Sequence, residues 1–568
     1  MKRILKLLPV LGFWPWFLQA QNTEKDPLSA GQINVVQEYR PVIADADKIS
    51  LNPVLNDSVP APLKLKYPVI SRNFFVPFKP EPVQAAKMKG EPLSRLYPFS
   101  VKAGYGLYNT SLAEVSASSL RSKKWKGSFW FRHFAANGKM DQTLNPTFSD
   151  QDFKLNGHYL FNQHDLQTTV NYYHHRVNYY GGVFAPQDEW VNTVPQNRIE
   201  DGRVYYSMME GTARLKGIFK DKDKLQRDAG FRYYYLGTRG ALSEYSVGGD
   251  LMLGKYTKNG ELIGAKVLLD YYGQTRTPDS TEAAIFGFNP FYQLGGKKFE
   301  FKLGLKIMVE SDASLTRFFP DIFARYNLIE DVFSAYAQVT GNTRRNTIRT
   351  LSEQNPFILP DFAFRNTADI IDANLGLRGN ISSKLFFDVS GQIKMSDSVA
   401  FFVNKPVFAD SAQNHFSVVY DGMMTYAVQG SLGYRLTNKM ELSAFVRYQV
   451  LNPDSQLRAW HMPALEGAIR ARYSLGDKLL LRADLLYIGD RYARITTFKS
   501  QNLGILVTED HERKLKGIFD VNIGADYRYT KNIGAFLQFN NIAAQRFVVW
   551  NNYPLQRFNA MIGVRFNF

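Results

Sequence analysis

The last eleven residues, Phe558-Asn559-Ala560-Met561-Ile562-Gly563-Val564-Arg565-Phe566-Asn567-Phe568, alternate without a break. Side chains along an extended strand point to opposite faces in turn. Phe558, Ala560, Ile562, Val564, Phe566 and Phe568 therefore share one face, and Asn559, Met561, Gly563, Arg565 and Asn567 the other. One face suits hydrocarbon and the other water, which is the pattern of a strand in a transmembrane β-barrel wall. The edge of a soluble antiparallel sheet reads the same way, so the rest of the chain has to decide.

Bulk composition is compatible with a barrel and excludes other membrane folds. Hydrophobic residues make up 45% and the mean hydropathy is −0.28. No apolar run beyond the N-terminus approaches the roughly 20 residues of a membrane-crossing helix, whereas a barrel wall is apolar on one side only. Aromatic residues reach 14%, as expected if rings girdle both lipid–water interfaces. Cysteine is absent, which excludes thiol chemistry, cysteine metal sites and a cysteine-anchored lipoprotein. Lys and Arg give a formal charge of +17 but are scattered along the whole chain. A nucleic-acid-binding protein would cluster them on one element; attraction to lipopolysaccharide fits the scatter better.

Residues 1–20 read as a secretory signal peptide. Lys2, Arg3 and Lys6 precede the apolar stretch Leu7 to Leu18, and Leu18-Gln19-Ala20 offers a small residue at the cut. Gln21 to Leu96 forms a distinct second segment. Ten prolines from Pro27 to Pro92 rule out long helices and central strands there. Only Ile33-Asn34-Val35-Val36-Gln37-Glu38-Tyr39 alternates. We expect a periplasmic arm ordered by whatever it lies on, occupying or capping the periplasmic mouth.

From Tyr97 to Phe568, strand-like runs are separated by two kinds of connection. Ten are short and rich in Gly, Asn, Asp, Ser and Lys: Arg121–Lys124, Asn162–His164, Lys220–Lys224, Lys258–Gly260, Gly295–Lys298, Ile329–Asp331, Ser382–Lys384, Thr437–Lys439, Leu475–Asp477 and Thr530–Asn532. Between them lie long or irregular ones, the longest being Tyr179–Arg203, Asn342–Asp369, Asn452–Ala464, Gly489–Lys514 and Ala543–Gln556. Short turns on one rim and long loops on the other predict an all-β transmembrane antiparallel barrel. Ten turns joining eleven hairpins give about 22 strands, with both termini on the periplasmic side.

The strand faces say which groups the lumen should hold. Asp520, Asn522, Gly524, Asp526 and Arg528 alternate with apolar neighbours, and so do Asp372, Asn374, Gly376 and Arg378. By the same rule Glu441, Arg447, Arg470, Arg472, Arg482, Asp484 and Arg565 point inward. Opposite charges on neighbouring strands satisfy one another, so these twelve read first as a stiffening ladder and second as groups that meet a solute. In the early run Gly127-Ser128-Phe129-Trp130-Phe131-Arg132 no clean face emerges.

Reactive constellations are missing from the chain. His174 and His175 are adjacent and so face opposite ways. No His-Glu-x-x-His, Walker loop or nucleophile elbow occurs, so neither enzyme activity nor a cofactor or metal is expected. Arg, Asn and aromatic residues crowd Gly341–Asn346 and Arg546–Tyr553. Such surfaces suit a carbohydrate or protein ligand, or a rim close to lipopolysaccharide.

Phe539-Asn540-Asn541-Ile542, Trp550-Asn551-Asn552-Tyr553-Pro554 and the final Gly563, Phe566 and Phe568 resemble the end of a TonB-dependent receptor barrel of the Bacteroidetes type. The terminal Gly-x-x-Phe-x-Phe is similar to the signal read by the outer-membrane assembly machinery. The resemblance covers Tyr97 to Phe568 and implies a barrel near 22 strands and transport or reception of a solute or polymer. That family carries an N-terminal plug, for which Gln21 to Leu96 is too short and too rich in proline. A wide barrel still needs a stopper. The arm, inward-folded loops or a partner remain the candidates, and the alternative role is a subunit of an outer-membrane complex with a periplasmic or lipoprotein partner.

Overall fold

Alternation along the chain produces a closed wall. The computed structural model describes Leu96–Phe568 except 141–142, 144, 182–201, 220–222, 240–241, 277–278, 313, 331, 360–361, 405–413 and 501–505. The expected signal peptide and arm lie outside the described residues.

The first strands are β1 (Phe99–Gly106), β2 (Thr110–Ser118), β3 (Trp125–Ala136), β4 (Phe148–Phe161), β5 (His164–Asn178), β6 (Arg203–Gly217) and β7 (Gln226–Thr238). They continue with β8 (Ser243–Tyr256), β9 (Leu262–Arg276), β10 (Asp279–Gly295), β11 (Phe299–Glu310), β12 (Leu315–Ile329) and β13 (Phe333–Arg345). A helix, α1 (Ile348–Gln354), precedes β14 (Asn366–Ser382), β15 (Leu385–Asn404), β16 (Phe416–Thr437) and β17 (Met440–Pro453). Then come β18 (Leu465–Leu475), β19 (Leu479–Ile488), β20 (Arg491–Ser500), β21 (Leu506–Leu515), β22 (Ile518–Arg528) and β23 (Ile533–Asn540). The chain ends with β24 (Val548–Trp550), β25 (Tyr553–Pro554) and β26 (Asn559–Asn567).

Twenty-two of these form one antiparallel sheet. Each pairs with its sequence neighbour, except that β19 pairs β22 and β23 pairs β26. The hairpin β20–β21 and the short pair β24–β25 stand within those two connections. β1 pairs with β26 and closes the wall. Closure removes the free edges, so every backbone donor of the wall can pair inside the sheet.

Burial is inverted relative to a water-soluble protein. Leu375 and Ile562 are 68% and 66% exposed while Asp520 is only 4% exposed. Ile562, Val564, Phe566 and Phe568 all face outward, and Asn559 and Met561 are buried. Only a hydrocarbon surround makes such an exterior favourable. Trp130 explains the unclear early strand: it sits on the enclosed face beside Lys102 and Glu114, an aromatic ring among the polar set.

All ten short stretches fall between strand ends on the rim where Ser100 pairs with Asn567; 220–222 and 331, in two of them, lie outside the described residues. The opposite rim is less uniform than the sequence suggests. Four of its connections, β1–β2, β7–β8, β9–β10 and β11–β12, leave only two to four residues between strand ends. Tyr108 and Asn109, both at positive φ, turn the first of these. Regular structure also enters the expected long loops: strands run on to Arg345 and start again at Asn366, and Gly489–Lys514 contains β20–β21. The wall is uneven in height, with 20 and 22 residues in β15 and β16 against 8 and 9 in β1 and β26.

Candidate gate across the long-loop mouth

Between β13 and β14, the described residues 346–359 fold inward over the mouth. Thr347 starts α1: its hydroxyl accepts from Thr350 N at 3.2 Å, and Thr350 Oγ1 accepts from Thr347 N at 2.8 Å. This reciprocal cap satisfies two donors that a helix start leaves orphaned. Seven residues are still far too few for an independent helix in water, so α1 depends on what it touches.

Its N-terminus rests on Glu244 of β8, a fully buried carboxylate. Ile348 N and Arg349 N donate to Glu244 at 2.8 and 3.0 Å. Tyr234 of β7 and Tyr272 of β9 each donate a hydroxyl to the same group at 3.1 Å. Four donors converge on one carboxylate, and the helix dipole adds to its attraction. Arg349 reaches on to Glu210 of β6 at 2.8 Å and lies over the Tyr234 ring at 4.7 Å. The helix is thus fastened to strands five or more positions away round the wall.

The rest of the segment is tied to other sides of the mouth. Tyr206 of β6 donates to Pro356 O at 3.1 Å and Tyr179 to Ile358 O at 3.2 Å. Ile358 forms an isolated parallel bridge with Phe416 at the start of β16. Phe357 stacks on Tyr553 with centroids 3.6 Å apart, and Tyr553 donates to Asn414 O. Ile348, Leu351, Ile358, Phe416 and Tyr553 are all at most 1% exposed and belong to one apolar cluster with Tyr206, Met208 and Leu236. Full burial of each such side chain stabilises by about 1.5–3 kcal/mol, which is what lets a short connection hold its shape.

A second knot stands beside it. His461 is buried between Phe416 and Trp550. Its Nδ1 lies 3.1 Å from Phe402 O, which can only accept, while Nε2 takes a hydrogen bond from Asn551 N at 3.4 Å. Burial, with Arg491 nearby, pushes this imidazole down to about 3, so it is neutral near pH 7. Arg491 donates to Val548 O and Val549 O, both at 2.8 Å.

Much of the stretches Gly341–Asn346 and Arg546–Tyr553 is tied into the fold. Arg344 pairs with Asp369 at 2.8 Å and Arg345 with Asp270 at 3.0 Å. Asn551, Asn552 and Tyr553 are at most 5% exposed.

Several of the twelve candidate groups come together. Arg470 lies 3.7 Å from Asp484, Arg482 pairs with Asp526, and Asp526 lies 3.8 Å from Arg565. Arg378 meets Asp388 at 3.4 Å. Asp372 and Arg447 both hydrogen-bond Gln392 at 2.7 Å. Glu441 pairs with Arg435 at 3.5 Å, and Asp520 accepts from Asn522 at 3.0 Å. Arg472 stands opposite both Glu441 and Arg482 in register, and Arg528 opposite Gly534. The gate uses a different set, Glu210, Glu244, Arg349, Tyr234, Tyr272 and Tyr553, which sequence reasoning passed over. His175 faces Asp150 at 2.9 Å and His174 faces Ser207 at 2.6 Å, on opposite faces of β5. Among the described residues no group of three or more His, Cys, Asp or Glu is placed to hold a metal ion.

No family model matches the chain, and no curated protein matches it. Solved structures do. The siderophore receptor PirA from Acinetobacter baumannii aligns with a TM-score of 0.61 at 10% identity, over 84% of this chain and 81% of that one. The FrpB iron transporter from Neisseria meningitidis gives 0.60 at 10% identity, over 84% and 82%. The ferripyoverdine receptor of the outer membrane of Pseudomonas aeruginosa, bound to ferripyoverdine, gives 0.59 at 12%, over 84% and 72%. At such identities the likeness is one of fold: the outer-membrane barrel architecture is shared.

Proposed function

We propose that this chain is an outer-membrane receptor or transporter, similar to TonB-dependent receptors, that admits a solute or polymer through a gated lumen. The observation that carries the reading is α1, fastened across a wide polar barrel through Glu244 and Arg349. A 22-stranded barrel left open would breach the permeability barrier, and a stopper held by a few polar contacts can be released. The resemblance to siderophore and iron receptors supports this class of cargo without specifying the solute. The twelve charged groups from Asp372 to Arg565 are then the lumen wall that a passing solute meets. The short-turn rim and both ends of the barrel face the periplasm, the long loops face lipopolysaccharide, and Gly563, Phe566 and Phe568 serve the assembly machinery.

Planar-bilayer conductance tests the gate. Replacing 347–364 by a short Gly-Ser turn should open a large, steady conductance, whereas deleting Asn22–Pro92 tests whether the arm is a second barrier. A loop deletion that leaves conductance small removes the gate from the argument.

A second reading rests on Gln21–Leu96, whose prolines and apolar Ile33, Val35, Val36 and Tyr39 suit docking on another protein. In that case the barrel is one subunit of an envelope complex. Purification in mild detergent separates the two: a stoichiometric periplasmic or lipoprotein partner favours the complex, a lone barrel the transporter.

A further inference from the structure

Near the short-turn rim the outer wall presents aromatic rings: Trp125, Phe299, Tyr326, Tyr473, Tyr527 and Phe566 are all exposed there. Such rings mark the level at which hydrocarbon gives way to lipid headgroups. β7 and β8 depart from this pattern. Exposed Phe231 and Tyr233 show which face of β7 is outward, and Leu251 and Leu253 do the same for β8. Arg227 and Lys255, both exposed, continue those two faces toward the rim. Arg227 stands opposite Leu253, and Lys255 opposite Ile263. The two cations are therefore diagonal neighbours on adjacent strands, with backbones roughly 7–8 Å apart.

An aromatic ring holds Arg227 at this level. Phe219, just beyond β6, folds back over Gly217, where an added Cβ would collide with the ring. The ring meets His164 edge-on with centroids 5.8 Å apart. The Arg227 guanidinium lies 5.2 Å from its centroid and the Lys224 amine 5.8 Å. A guanidinium held over a ring keeps its N–H edge for an anion. The turn Lys220 to Lys224 counts three lysines against two aspartates. Arg227 and Lys255 thus add to a surplus of positive charge, however those aspartates are paired. On the adjoining strands, Asp165 is held on the lumen face by His158 and Gln167, and Asp228 by Arg214. Glu261 is engaged by Thr257 at 3.0 Å. Cations on a lipid-facing wall are unfavourable unless they meet an anion at the interface.

We infer that Arg227 and Lys255, with Phe219 behind them, seat the headgroup of an anionic glycerophospholipid at the short-turn rim. The inference rests on the proposed outer-membrane orientation, which puts this rim in the periplasmic leaflet. A guanidinium offers two parallel donors to phosphate oxygens, and Lys255 adds a second cation on the far side of the same group. The acyl chains then lie along the exposed Phe231, Leu251 and Leu253. The cations share one face with these apolar side chains, so the occupant is a lipid against the wall rather than a free anion or a solute in the lumen.

The test is native mass spectrometry of the delipidated full chain, titrated in parallel with phosphatidylglycerol and with phosphatidylethanolamine of the same acyl chains. Arg227→Gln with Lys255→Gln is compared with Lys384→Gln with Lys439→Gln, which removes as much charge from other short turns. Both variants are checked for the heat-modifiable folded form. The wild type and the second variant should retain phosphatidylglycerol about tenfold better than the first variant, and all three should retain phosphatidylethanolamine alike. Equal retention of phosphatidylglycerol by a folded first variant overturns the inference, and so does an equal loss in the second. Equal retention of the two lipids by the wild type overturns it whether or not the variants fold. Failure of the outer-membrane reading would appear separately, as absence of the wild type from outer-membrane fractions.

Discussion

Glu244→Ala isolates the anchor of the gate. The carboxylate accepts from two tyrosine hydroxyls and from the first two amides of α1, and it is 0% exposed. The hydroxyls can rotate toward other acceptors, but the amides of Ile348 and Arg349 are fixed by the helix. Each buried donor left unsatisfied costs about 1–3 kcal/mol, so two fixed amides put the loss at roughly 2–6 kcal/mol. That shifts the opening equilibrium of 346–359 by roughly 30-fold to above 10⁴-fold. Hydrogen exchange in detergent reads it directly: peptides covering α1 should lose protection, while peptides from β22 and β23, on the opposite side of the closed sheet, should not. Glu244→Gln keeps one carbonyl acceptor and should lose markedly less. Unchanged exchange at α1 in the alanine variant would refute the idea that Glu244 holds the gate.

Four further outcomes follow from particular residues. His461 titrates near 6.5 when unfolded and near 3 when folded, so its contribution is complete above pH 6.5 and is lost as the pH falls from there toward 3; about 2 kcal/mol should be gone at pH 5. Exchange of 546–556 at pH 7.5 and 5 measures this, and a His461→Gln variant with the same pH slope would assign the effect elsewhere. Gly563→Val places a side chain against the Phe536 ring and Ala103 O across the closing seam, and should lower the yield of heat-modifiable barrel; a normal yield contradicts the packing. Phe568→Asp should likewise impair assembly, because the residue is 59% exposed on the lipid-facing register. The mass of the purified N-terminus checks cleavage after Ala20, and retention of Lys2 to Leu18 would count against export.

The wall was legible because membrane and lumen impose a period of two on almost every strand. Asp520, Asp526 and Arg528 could be assigned to a face from their neighbours alone, and Asn162, Gly260 and Gly476 mark turns by composition. Trp130 broke the pattern because an aromatic ring fills space among polar groups on the enclosed side. The gate was illegible for a different reason. Ile348, Leu351, Phe357 and Ile358 lie in a stretch that reads as a loop, with a helix too short to declare itself. Glu244 looks like any other inward carboxylate of an alternating strand. Only its distance in sequence from Ile348 and Arg349, more than a hundred residues, separates it from the ladder groups, and that pairing is tertiary. In Arg546–Tyr553, Trp550 packs against Phe402 and Phe416 and Tyr553 against Phe357, contacts between distant segments that the sequence alone does not display.

The uneven wall has a kinetic meaning. β1 and β26 come from opposite ends of the barrel and meet over strands of 8 and 9 residues, whereas β15 and β16, of 20 and 22 residues, are adjacent hairpin partners. Hairpins form with little loss of chain entropy, and the terminal pair must wait until every other strand has been laid down. The tall side is therefore the place to start and the short seam the last to zip. In reverse, the seam is where the cylinder unzips first under force or heat, and Gly104 and Gly563 face one another there.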